Sequence, residues 1–444
     1  MINPIKNRRS RSAFRIIILG FFILIMVGSI LLMLPISSRS RVMTSFPDAL
    51  FTAVSATCVT GLVVKDTATY WSTFGQIIIL IMIQIGGMGV ITVGLMILRA
   101  SGRKIGLMQR EVMQESVAAH NISGMVKLVS FIIKGSLLIE GIGAMALMPV
   151  FFKEYKSLKA IGYSIFHSIS AFCNAGFDLM GEKGKFSSLT SYSANAYLNI
   201  VIMLLIVIGG IGFLTWGDVI VHGFHIKKYA LQSKIVLLTS LVLITIPTIY
   251  FIFGEYANLP IKERLVSSFF QSVTARTAGF NTQDLSAMSE PGTAVMLFLM
   301  MVGGSSGSTA GGMKTTTLAV LFLATLSVFA RKREVPCFKR RIAEDTIRTA
   351  SAILFMYFSL SFIVGIIISK VEGLPLLVSL FESVSAIATV GLTMGITTSL
   401  SLISRILLMG LMFFGRVGGL TLIYAAVSSE DSNAKYPLEK ITVG

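Results

Sequence analysis

The chain has 444 residues, of which 54% are hydrophobic and only 13% are charged. A soluble domain carries about twice that share of charged residues, so the composition indicates a polytopic membrane protein and argues against a soluble enzyme. The formal net charge is +17. The basic residues concentrate in four short polar segments, which is typical of cytoplasmic loops and not of a nucleic-acid-binding surface. These segments are residues 6–15, 99–110, 227–234 and 331–348.

The first predicted element is a transmembrane helix over residues 16–36. This run is uncharged, follows several arginines, and exceeds the ~20 residues that cross a bilayer. It is too long for a signal-peptide core and no small-residue cleavage site follows, so we expect it to be retained. Because long spans should pair out and back between the basic segments, both termini are predicted to be cytoplasmic, in the cell (cytoplasmic) membrane.

Four short segments repeat along the chain. Aligned on a glycine, they read FTAVSATCVTGL (51–62), FHSISAFCNAGF (166–177), FFQSVTARTAGF (269–280) and FESVSAIATVGL (381–392). Each begins with Phe ten residues before the glycine and carries small residues five and six positions before it, apart from Val273. The glycines recur at about a quarter of the chain length, which is the signature of an internal repeat. They are Gly61, Gly176, Gly279 and Gly391.

Each repeated segment lies between two apolar spans. The preceding spans cover roughly 16–36, 128–152, 235–253 and 350–369, and the following spans cover roughly 74–98, 197–221, 294–330 and 402–428. We therefore predict an all-α membrane protein built from four span–pore-loop–span repeats around a pseudo-fourfold axis. It would have eight transmembrane helices and four re-entrant pore helices. The predicted repeats are 1–110, 111–230, 231–341 and 342–444, the last with the C-terminal tail.

The repeated segments are predicted to enter the membrane and turn back. The run from Phe51 to Thr57 makes about two helical turns, which reach about halfway across a ~30 Å hydrocarbon core. The next residues, Thr-Cys-Val-Thr-Gly, favour extended backbone, which is tolerated at that depth only where protein buries it or it lines a water-filled cavity. Four copies would direct carbonyls into one channel, an arrangement that replaces the hydration shell of a monovalent cation. Small-residue helix packing is the alternative, but it explains four matching copies poorly.

These motifs resemble the selectivity-filter loops of the Trk/Ktr/HKT superfamily of potassium transporters. The chain length and the absence of extra N-terminal spans resemble the Ktr-type membrane subunit, and the resemblance covers nearly the whole chain. It implies that the four glycines help to form the potassium site. Members that prefer sodium commonly carry Ser in place of the first glycine, so Gly61 implies a preference for potassium. The chain departs from the family pattern beside the filter at Cys58 and Cys173.

The filter is expected to hold K⁺ through backbone carbonyls. We expect K⁺ to be the cargo, no organic cofactor to bind this chain, and no enzymatic activity. The predicted filter positions are Thr57, Cys58, Val59, Thr60, Gly61, Cys173, Asn174, Ala175, Gly176, Thr277, Ala278, Gly279, Thr389, Val390 and Gly391.

The third following span contains a predicted break. Residues 301–317 read MVGGSSGSTAGGMKTTT, and each glycine costs a helix about 1 kcal/mol relative to alanine. We predict an irregular intramembrane loop over 303–317 that lines the pore, with a small-residue packing face as the alternative. The resemblance implies that this loop is the gate below the filter.

Arg416 lies in the middle of the last apolar span, where a charge is expected to face protein or water. We predict that it lies below the filter near Gly307 and acts in gating. A structural salt bridge is the alternative. The predicted gating residues are Gly303, Gly304, Gly307, Gly311, Gly312, Lys314 and Arg416.

Other polar residues are predicted to be structural. Arg276, beside the third filter, is expected to anchor the pore segments, because a cation there would repel K⁺. Lys134 and Glu140 are expected to pair with each other inside the membrane, and His167 is expected to pack on a pore helix. No metal cluster is apparent in the sequence.

The leading prediction is a potassium-conducting subunit of an uptake system, and the alternative is a sodium-selective or sodium-coupled transporter of the same superfamily. The resemblance implies a homodimer with one pore per protomer. It also implies a cytosolic ring of RCK-type nucleotide-binding regulatory subunits. The basic loops near 99–110 and 331–348 could dock that ring or bind anionic lipid headgroups.

Overall fold

The structure is a computed structural model that describes residues 4–90, 92–94, 114, 125–426 and 439. The basic segment 99–110 and nearly all of the C-terminal tail lie outside the described residues. As predicted, the regular structure is almost entirely helical. The helices are α1 (Pro4–Met33), α2 (Phe46–Cys58), α3 (Thr73–Met88), α4 (Met125–Phe151), α5 (Ser157–Phe172), α6 (Ala196–Ile211), α7 (Phe213–His222), α8 (Leu231–Tyr250), α9 (Ile261–Thr274), α10 (Glu290–Met301), α11 (Thr315–Phe329), α12 (Glu344–Glu372), α13 (Leu376–Ile387), α14 (Leu402–Val417) and α15 (Gly419–Ala426).

Four helical stretches in the described residues are individually long and apolar enough to cross a membrane. They are Phe14–Met33 within α1, α4, Leu231–Glu255 (α8 with the π-helical turn after it) and α12. They correspond to the predicted first span of each repeat. The pair α6–α7, which is bent by 97°, passes the same test only when its halves are counted together. These spans make the chain an integral membrane protein, in agreement with its composition.

A short helix follows each of these four spans: α2, α5, α9 and α13. The first is longer than predicted, because α2 begins at Phe46 and not at Phe51. Pro47 in the first turn is pre-organised for a helix start, and Asp48 favours the positive end of the helix dipole. At 13 residues, α2 is about 20 Å long, which is still too short to cross the hydrocarbon core.

The second apolar span of every repeat is interrupted, whereas the sequence predicted a break only in the third. Helices α3, α6 and α14 end at Gly89, Gly212 and Gly418, whose φ angles are +90°, +101° and +92°. Residues with a Cβ rarely adopt these angles, so the chain leaves the helix there. In the third repeat, a non-helical segment over 302–314 separates α10 from α11; it is called the central loop below. The breaks in the other three repeats were not predicted from the sequence.

A small β-hairpin follows α11. Strands β1 (Val335–Cys337) and β2 (Arg340–Ile342) pair antiparallel through a turn at Phe338 and Lys339. Both turn residues have positive φ angles, as two-residue hairpin turns require. Cys337 packs against Ile235 of α8 and Ala319 of α11, so the hairpin is fixed to the helices and this cysteine is structural.

Candidate functional site

Each short helix ends in a turn of the same unusual conformation. Two residues before each repeat glycine, a residue with a side chain adopts positive φ: Val59 (58°), Asn174 (58°), Thr277 (69°) and Thr389 (52°). The glycines themselves have φ angles of 92°, 67°, 79° and 91°. Positive φ is strained for β-branched residues. Its recurrence in four places marks these segments, called the glycine turns below, as the candidate site.

Buried hydroxyl groups on the short helices hold the glycine turns. The hydroxyls of Ser55 and Ser385 accept hydrogen bonds from the amides of Gly61 and Gly391, each at 3.1 Å. In the other two repeats the hydroxyl donates to the carbonyl oxygen that follows the glycine: Ser170 to Phe177 and Thr274 to Phe280, each at 2.7 Å. The small polar positions of the sequence motif therefore fix the turn.

The third repeat is shifted by one residue relative to the alignment on glycine. Its anchoring hydroxyl, Thr274, lies five residues before the glycine, whereas Ser55, Ser170 and Ser385 lie six before. Phe269, aligned with the other motif phenylalanines, is 42% exposed, and Phe270 is fully buried in its place. The spacing in the sequence is equal, but the third short helix is offset by one residue from the alignment on glycine. Phe270 occupies the position of the motif phenylalanine, and Thr274, not Val273, occupies the position of the anchoring hydroxyl.

The four glycines form a closed ring. A Cβ added at Gly61 would lie 3.2 Å from the Cα of Gly176, and one at Gly176 would lie 2.9 Å from the Cα of Gly279. From Gly279 the corresponding distance is 3.3 Å to the Cα of Gly391, and from Gly391 it is 3.0 Å back to the Cα of Gly61. Any side chain here would collide with the neighbouring repeat, so the ring requires glycine. The structure thus brings together residues up to 330 positions apart.

A second set of glycines supports the ring from behind. Cβ atoms at Gly86, Gly209 and Gly415 would overlap the carbonyl oxygens of Thr57, Phe172 and Ile387. Each of these carbonyls lies four residues before the ring glycine of its repeat. Helices α3, α6 and α14 therefore approach the ends of the short helices at backbone contact distance, which only glycine permits.

An outer cavity of about 200 Å³ lies against the ring. It is lined by all four ring glycines and by three carboxylate residues from different repeats, Asp66, Asp178 and Asp284. Negative charge in a narrow mouth raises the local concentration of cations. The wall after the second turn is held by Glu182, which pairs with Lys159 at 2.5 Å and Arg39 at 3.3 Å. The hydrogen bond from Lys159 is the main cause that lowers the pKa of Glu182.

A separate inner cavity of about 360 Å³ lies at the breaks of the second spans. It carries positive charge from Lys314 and Arg416 and is also lined by Gly307 and Tyr357. Arg416 donates to the carbonyl oxygens of Gly86 (2.5 Å), Gly87 (2.9 Å) and Thr309. In the described part of the chain, none of the salt bridges includes Arg416. Its partners are backbone carbonyls, and one of them belongs to the central loop.

The central loop is hydrogen-bonded to the broken second span of the second repeat. The amides of Ser305 and Thr309 donate to Gly210 and Gly209, at 2.9 and 3.2 Å. In return, the amide of Phe213 donates to the carbonyl of Gly307 at 2.7 Å. The break leaves the carbonyls at the end of α6 without helical donors. Amides of the central loop supply those hydrogen bonds.

The loop also reaches the base of the glycine turns. Thr309 donates to the carbonyl of Phe172 at 2.9 Å and accepts from the side chain of Asn174 at 3.0 Å. The predicted glycines of this segment sit where space is smallest: a Cβ at Gly303 would lie 3.0 Å from Thr277, and one at Gly312 would lie 2.8 Å from the Ala388 carbonyl. Lys314 donates back to Ala310 and Gly311, at 2.8 and 3.2 Å.

The two unexpected cysteines lie behind the ring. Cys58 and Cys173 are fully buried, and neither lines the outer or the inner cavity. The Cys173 thiol lies 3.7 Å from the side-chain amide oxygen of Gln84 on α3 and 3.9 Å from the carboxylate of Glu140. These side chains pack against the second spans, while their backbones continue into the turns.

Among the remaining polar residues, one expectation was wrong. Glu140 does not pair with Lys134, which is exposed, but accepts two hydrogen bonds from Gln84 at 2.8 and 2.9 Å. Residues six apart lie on different faces of a helix, so the predicted pair could not form. Arg276 donates to Ser240 of α8 at 3.0 Å and lines neither cavity, which is the anchoring position expected. His167 is fully buried on α5, as expected.

Comparison with known proteins places this architecture. The profile of the family described as "TrkH: Cation transport protein" matches residues 3–436. The chain belongs to the TrkH family. Within it, this TrkH-family chain is 40% identical to the potassium/sodium uptake protein NtpJ of Enterococcus hirae, and the match covers 98% of both chains. It is 38% identical to the Ktr system potassium uptake protein B of Bacillus subtilis, over 97% of this chain and 96% of the relative.

The fold agrees with this membership. The crystal structure of the potassium transporter TrkH from Vibrio parahaemolyticus superposes with a TM-score of 0.71 and covers 94% of this TrkH-family chain and 85% of its own. At 19% identity, this comparison concerns the fold alone. The resemblance to the Trk/Ktr group inferred from the four motifs is confirmed, as is the helical membrane fold.

Proposed function

We propose that this chain is the pore-forming subunit of a potassium uptake system in the cytoplasmic membrane. The closed ring of Gly61, Gly176, Gly279 and Gly391 carries the proposal, because it directs four equivalent backbone segments to one point. The buried hydroxyls of Thr57, Thr60, Thr277 and Thr389 support it, since they have no partner within the described residues. Buried polar atoms without protein partners are expected where an ion or its water passes.

The proposed path runs from the acidic outer cavity, through the ring, into the inner cavity. The proposed filter comprises residues 57–61, 173–176, 277–279 and 389–391, with backbone carbonyls as ligands. K⁺ is the cargo, and the chain itself performs no chemical reaction. Four repeats, at 1–110, 111–230, 231–341 and 342–444, supply eight crossings and four re-entrant helices in this proposal, with the broken second spans counted as crossings.

The central loop is the proposed gate. It lies across the inner cavity with two cationic residues, Lys314 and Arg416, which oppose the passage of another cation. Its bonds to α6 and to Arg416 are hydrogen bonds between polar groups that water could replace, so the loop has an alternative, open position available at modest cost. The proposal therefore assigns Arg416 to the closed state.

The proposed assembly is a homodimer on a cytosolic ring of RCK-type regulatory subunits. The basic hairpin β1–β2, with Phe338 half exposed at its tip, supports a contact on that side. The relatives named as parts of a Ktr system are consistent with such partners.

The test is cation flux through the purified full-length chain in liposomes. We expect uptake of rubidium, a K⁺ substitute, that persists in a large excess of sodium. The 40% identical relative is named a potassium/sodium uptake protein, so the assay also tests a sodium-selective or sodium-coupled transporter. Equal sodium flux, or rubidium uptake that requires a sodium gradient, would favour the sodium-selective or sodium-coupled transporter. No flux of either ion would contradict the proposal.

A further inference from the structure

Glu382 is a buried carboxylate with no role in the mechanism described so far. It lies in the middle of α13, the short helix of the fourth repeat, and has no exposed surface. A buried carboxylate without adequate partners is strongly destabilising. Its partners within the described residues are two hydroxyls, those of Thr393 and Thr397.

Glu382, Thr393, Gly395 and Thr397 form a closed hydrogen-bonded group beyond the ring, called the bracket below. Thr393 donates to one carboxylate oxygen of Glu382 at 2.8 Å, and Thr397 donates to the other. The two threonine hydroxyls are 3.0 Å apart, and the amide of Gly395 donates to Thr393 at 3.0 Å. Gly395, between them, has a φ angle of +90°. The carboxylate thus ties residues 393–397 into a turn over the short helix.

The bracket forms a wall of the outer cavity. Thr393, Gly395 and Thr397 line that cavity together with Gly391, and Thr393 lies only two residues beyond the ring. The backbone from Gly391 onward therefore runs directly into a segment whose position depends on Glu382. The ring itself is held from the other side by the hydroxyl of Ser385.

The second repeat has a corresponding tie. His167 lies nine residues before Gly176, as Glu382 lies nine before Gly391, and it is also fully buried. Its Nε2 accepts from the amide of Leu179, three residues beyond the ring, at 3.3 Å. In the first repeat the corresponding side chain, Thr52, bonds Asp48 of its own helix. In the third repeat, where the short helix is offset by one residue, the corresponding side chain is Gln271, which bonds Met296.

Because the ring runs in chain order, the second and fourth repeats face each other across it. In the second and fourth repeats the outer segment is thus tied to a fully buried polar side chain in the short helix. In the first and third repeats other contacts hold it, from Lys65 to Asp48 at 3.4 Å and from Gln283 to Ser267 at 3.0 Å. One way for a ring of carbonyls to discriminate between K⁺ and the smaller Na⁺ is to resist contraction onto the smaller ion. Segments tied on opposite sides supply that resistance.

We propose that Glu382 is a positioning residue for ion selection: through Thr393 and Thr397 it fixes the outer segment of the fourth repeat and keeps the ring at the spacing that favours K⁺. The proposal rests on the proposed function, since it concerns selection by the same ring. Its chemistry is that of a buried acceptor, so an amide that accepts from one threonine and donates to the other can replace the carboxylate.

The test measures the ratio of rubidium to sodium uptake, and the KM for rubidium, in liposomes that contain the full-length chain. We expect Glu382→Ala to lower the ratio by about tenfold or more, because a charged acceptor with two hydrogen bonds is lost. Thr397→Val should lower it by about threefold to tenfold. Glu382→Gln should stay within about threefold of the parent.

Ser383→Ala is the matched control, because Ser383 is an equally buried neighbour whose hydroxyl bonds Ser361 of α12 and not the outer segment. Its ratio should equal the parent's. An unchanged ratio in both Glu382→Ala and Thr397→Val would overturn the proposal, as would a Glu382→Gln chain as impaired as Glu382→Ala. If Glu382→Ala cannot be purified in folded form, the rubidium-to-sodium ratios of Thr397→Val and Glu382→Gln are compared instead. A ratio that is unchanged in Thr397→Val would then overturn the proposal.

Failure of the proposed function would look different. A parent chain that carries no rubidium would contradict the potassium pore itself. A parent that carries rubidium with a strong preference over sodium, and variants that keep that preference, would remove only the role of Glu382.

Discussion

At the scale of single residues, the site is built from backbone conformations that side chains disfavour. Val59, Thr277 and Thr389 are β-branched and adopt positive φ, which costs roughly 1–2 kcal/mol for each residue. The buried hydroxyls of the short helices compensate by bonding the turn that follows. Within the described residues, β-branched side chains adopt positive φ only in these glycine turns.

Gly391→Ala tests the ring. The added methyl would lie 3.0 Å from the Cα of Gly61 on a residue with a φ angle of +91°, so we expect rubidium uptake to fall by about tenfold or more. Gly373→Ala is the control, since it also has positive φ (+66°) but open space around its Cβ position. Uptake in liposomes measures both variants. Normal, selective uptake by Gly391→Ala would show that the ring does not set the ion path.

At the scale of elements, the second spans break just beyond the point where they contact the short helices. Helices α3, α6 and α14 each contact the end of a short helix through glycine and then leave the helical path three residues later. The pattern Gly-x-x-Gly at 86–89, 209–212 and 415–418 was visible in the sequence. The breaks at these glycines were not predicted, because each span has the length and apolar character of a crossing helix.

Gly415→Ala and Gly410→Ala, both on α14, separate close approach from helix propensity. A Cβ at Gly415 would overlap the Ile387 carbonyl, whereas one at Gly410 has nothing within 4 Å. We expect Gly415→Ala to lower the free energy of unfolding by about 1–3 kcal/mol. Gly410→Ala should raise it by about 0.5–1 kcal/mol, because alanine is the better helix former. Thermal unfolding in detergent measures both, and equal effects would contradict the packing argument.

Arg416→Gln tests the gate. Removing the guanidinium takes away the bonds to Gly86, Gly87 and Thr309 and one positive charge from the inner cavity, so resting potassium flux should rise several-fold. Arg405→Gln is the matched control on the same helix, where Arg405 bonds Asp48 at 3.0 Å and lines neither cavity. Liposome flux without regulatory subunits is the measurement. Equal flux in the parent and Arg416→Gln would remove Arg416 from gating.

At the scale of the whole molecule, the two cavities have opposite charge and share no lining residue. Three aspartates line the outer cavity and two basic residues line the inner one, which suits a path that admits cations from one side and controls their release on the other. The basic segments of the sequence predict that the inner cavity faces the cytoplasm.

Thiol labelling tests that orientation. In a chain whose three cysteines are replaced by alanine, Ser286→Cys lies in the outer cavity and Ser306→Cys in the inner one. A membrane-impermeant maleimide should label Ser286→Cys from outside right-side-out vesicles and Ser306→Cys only in inside-out vesicles. The cysteine-free chain is the control for background. The reverse pattern would mean that the termini are not cytoplasmic.

The sequence by itself determined the class of protein and the family, and it singled out the four glycines that the structure brings into one ring. These features are local or periodic: apolar length sets a span, and a glycine with small polar neighbours recurs wherever the same turn is needed. Even the positions of Arg416 and the central loop could be inferred, because charge and clustered glycine are incompatible with an ordinary membrane helix.

The tertiary structure alone decided how these pieces meet. The closure of the ring, the bonds of Arg416 to backbone carbonyls, the shift in the third repeat and the bracket of Glu382 all join residues distant in the chain. The partners of Arg416 are main-chain oxygens, which every residue possesses, so no residue type in the sequence signals them. The partners of Glu382 are two of many threonine hydroxyls, and the sequence does not single them out. Packing at backbone contact distance, and not composition, selects which of those oxygens lies within reach.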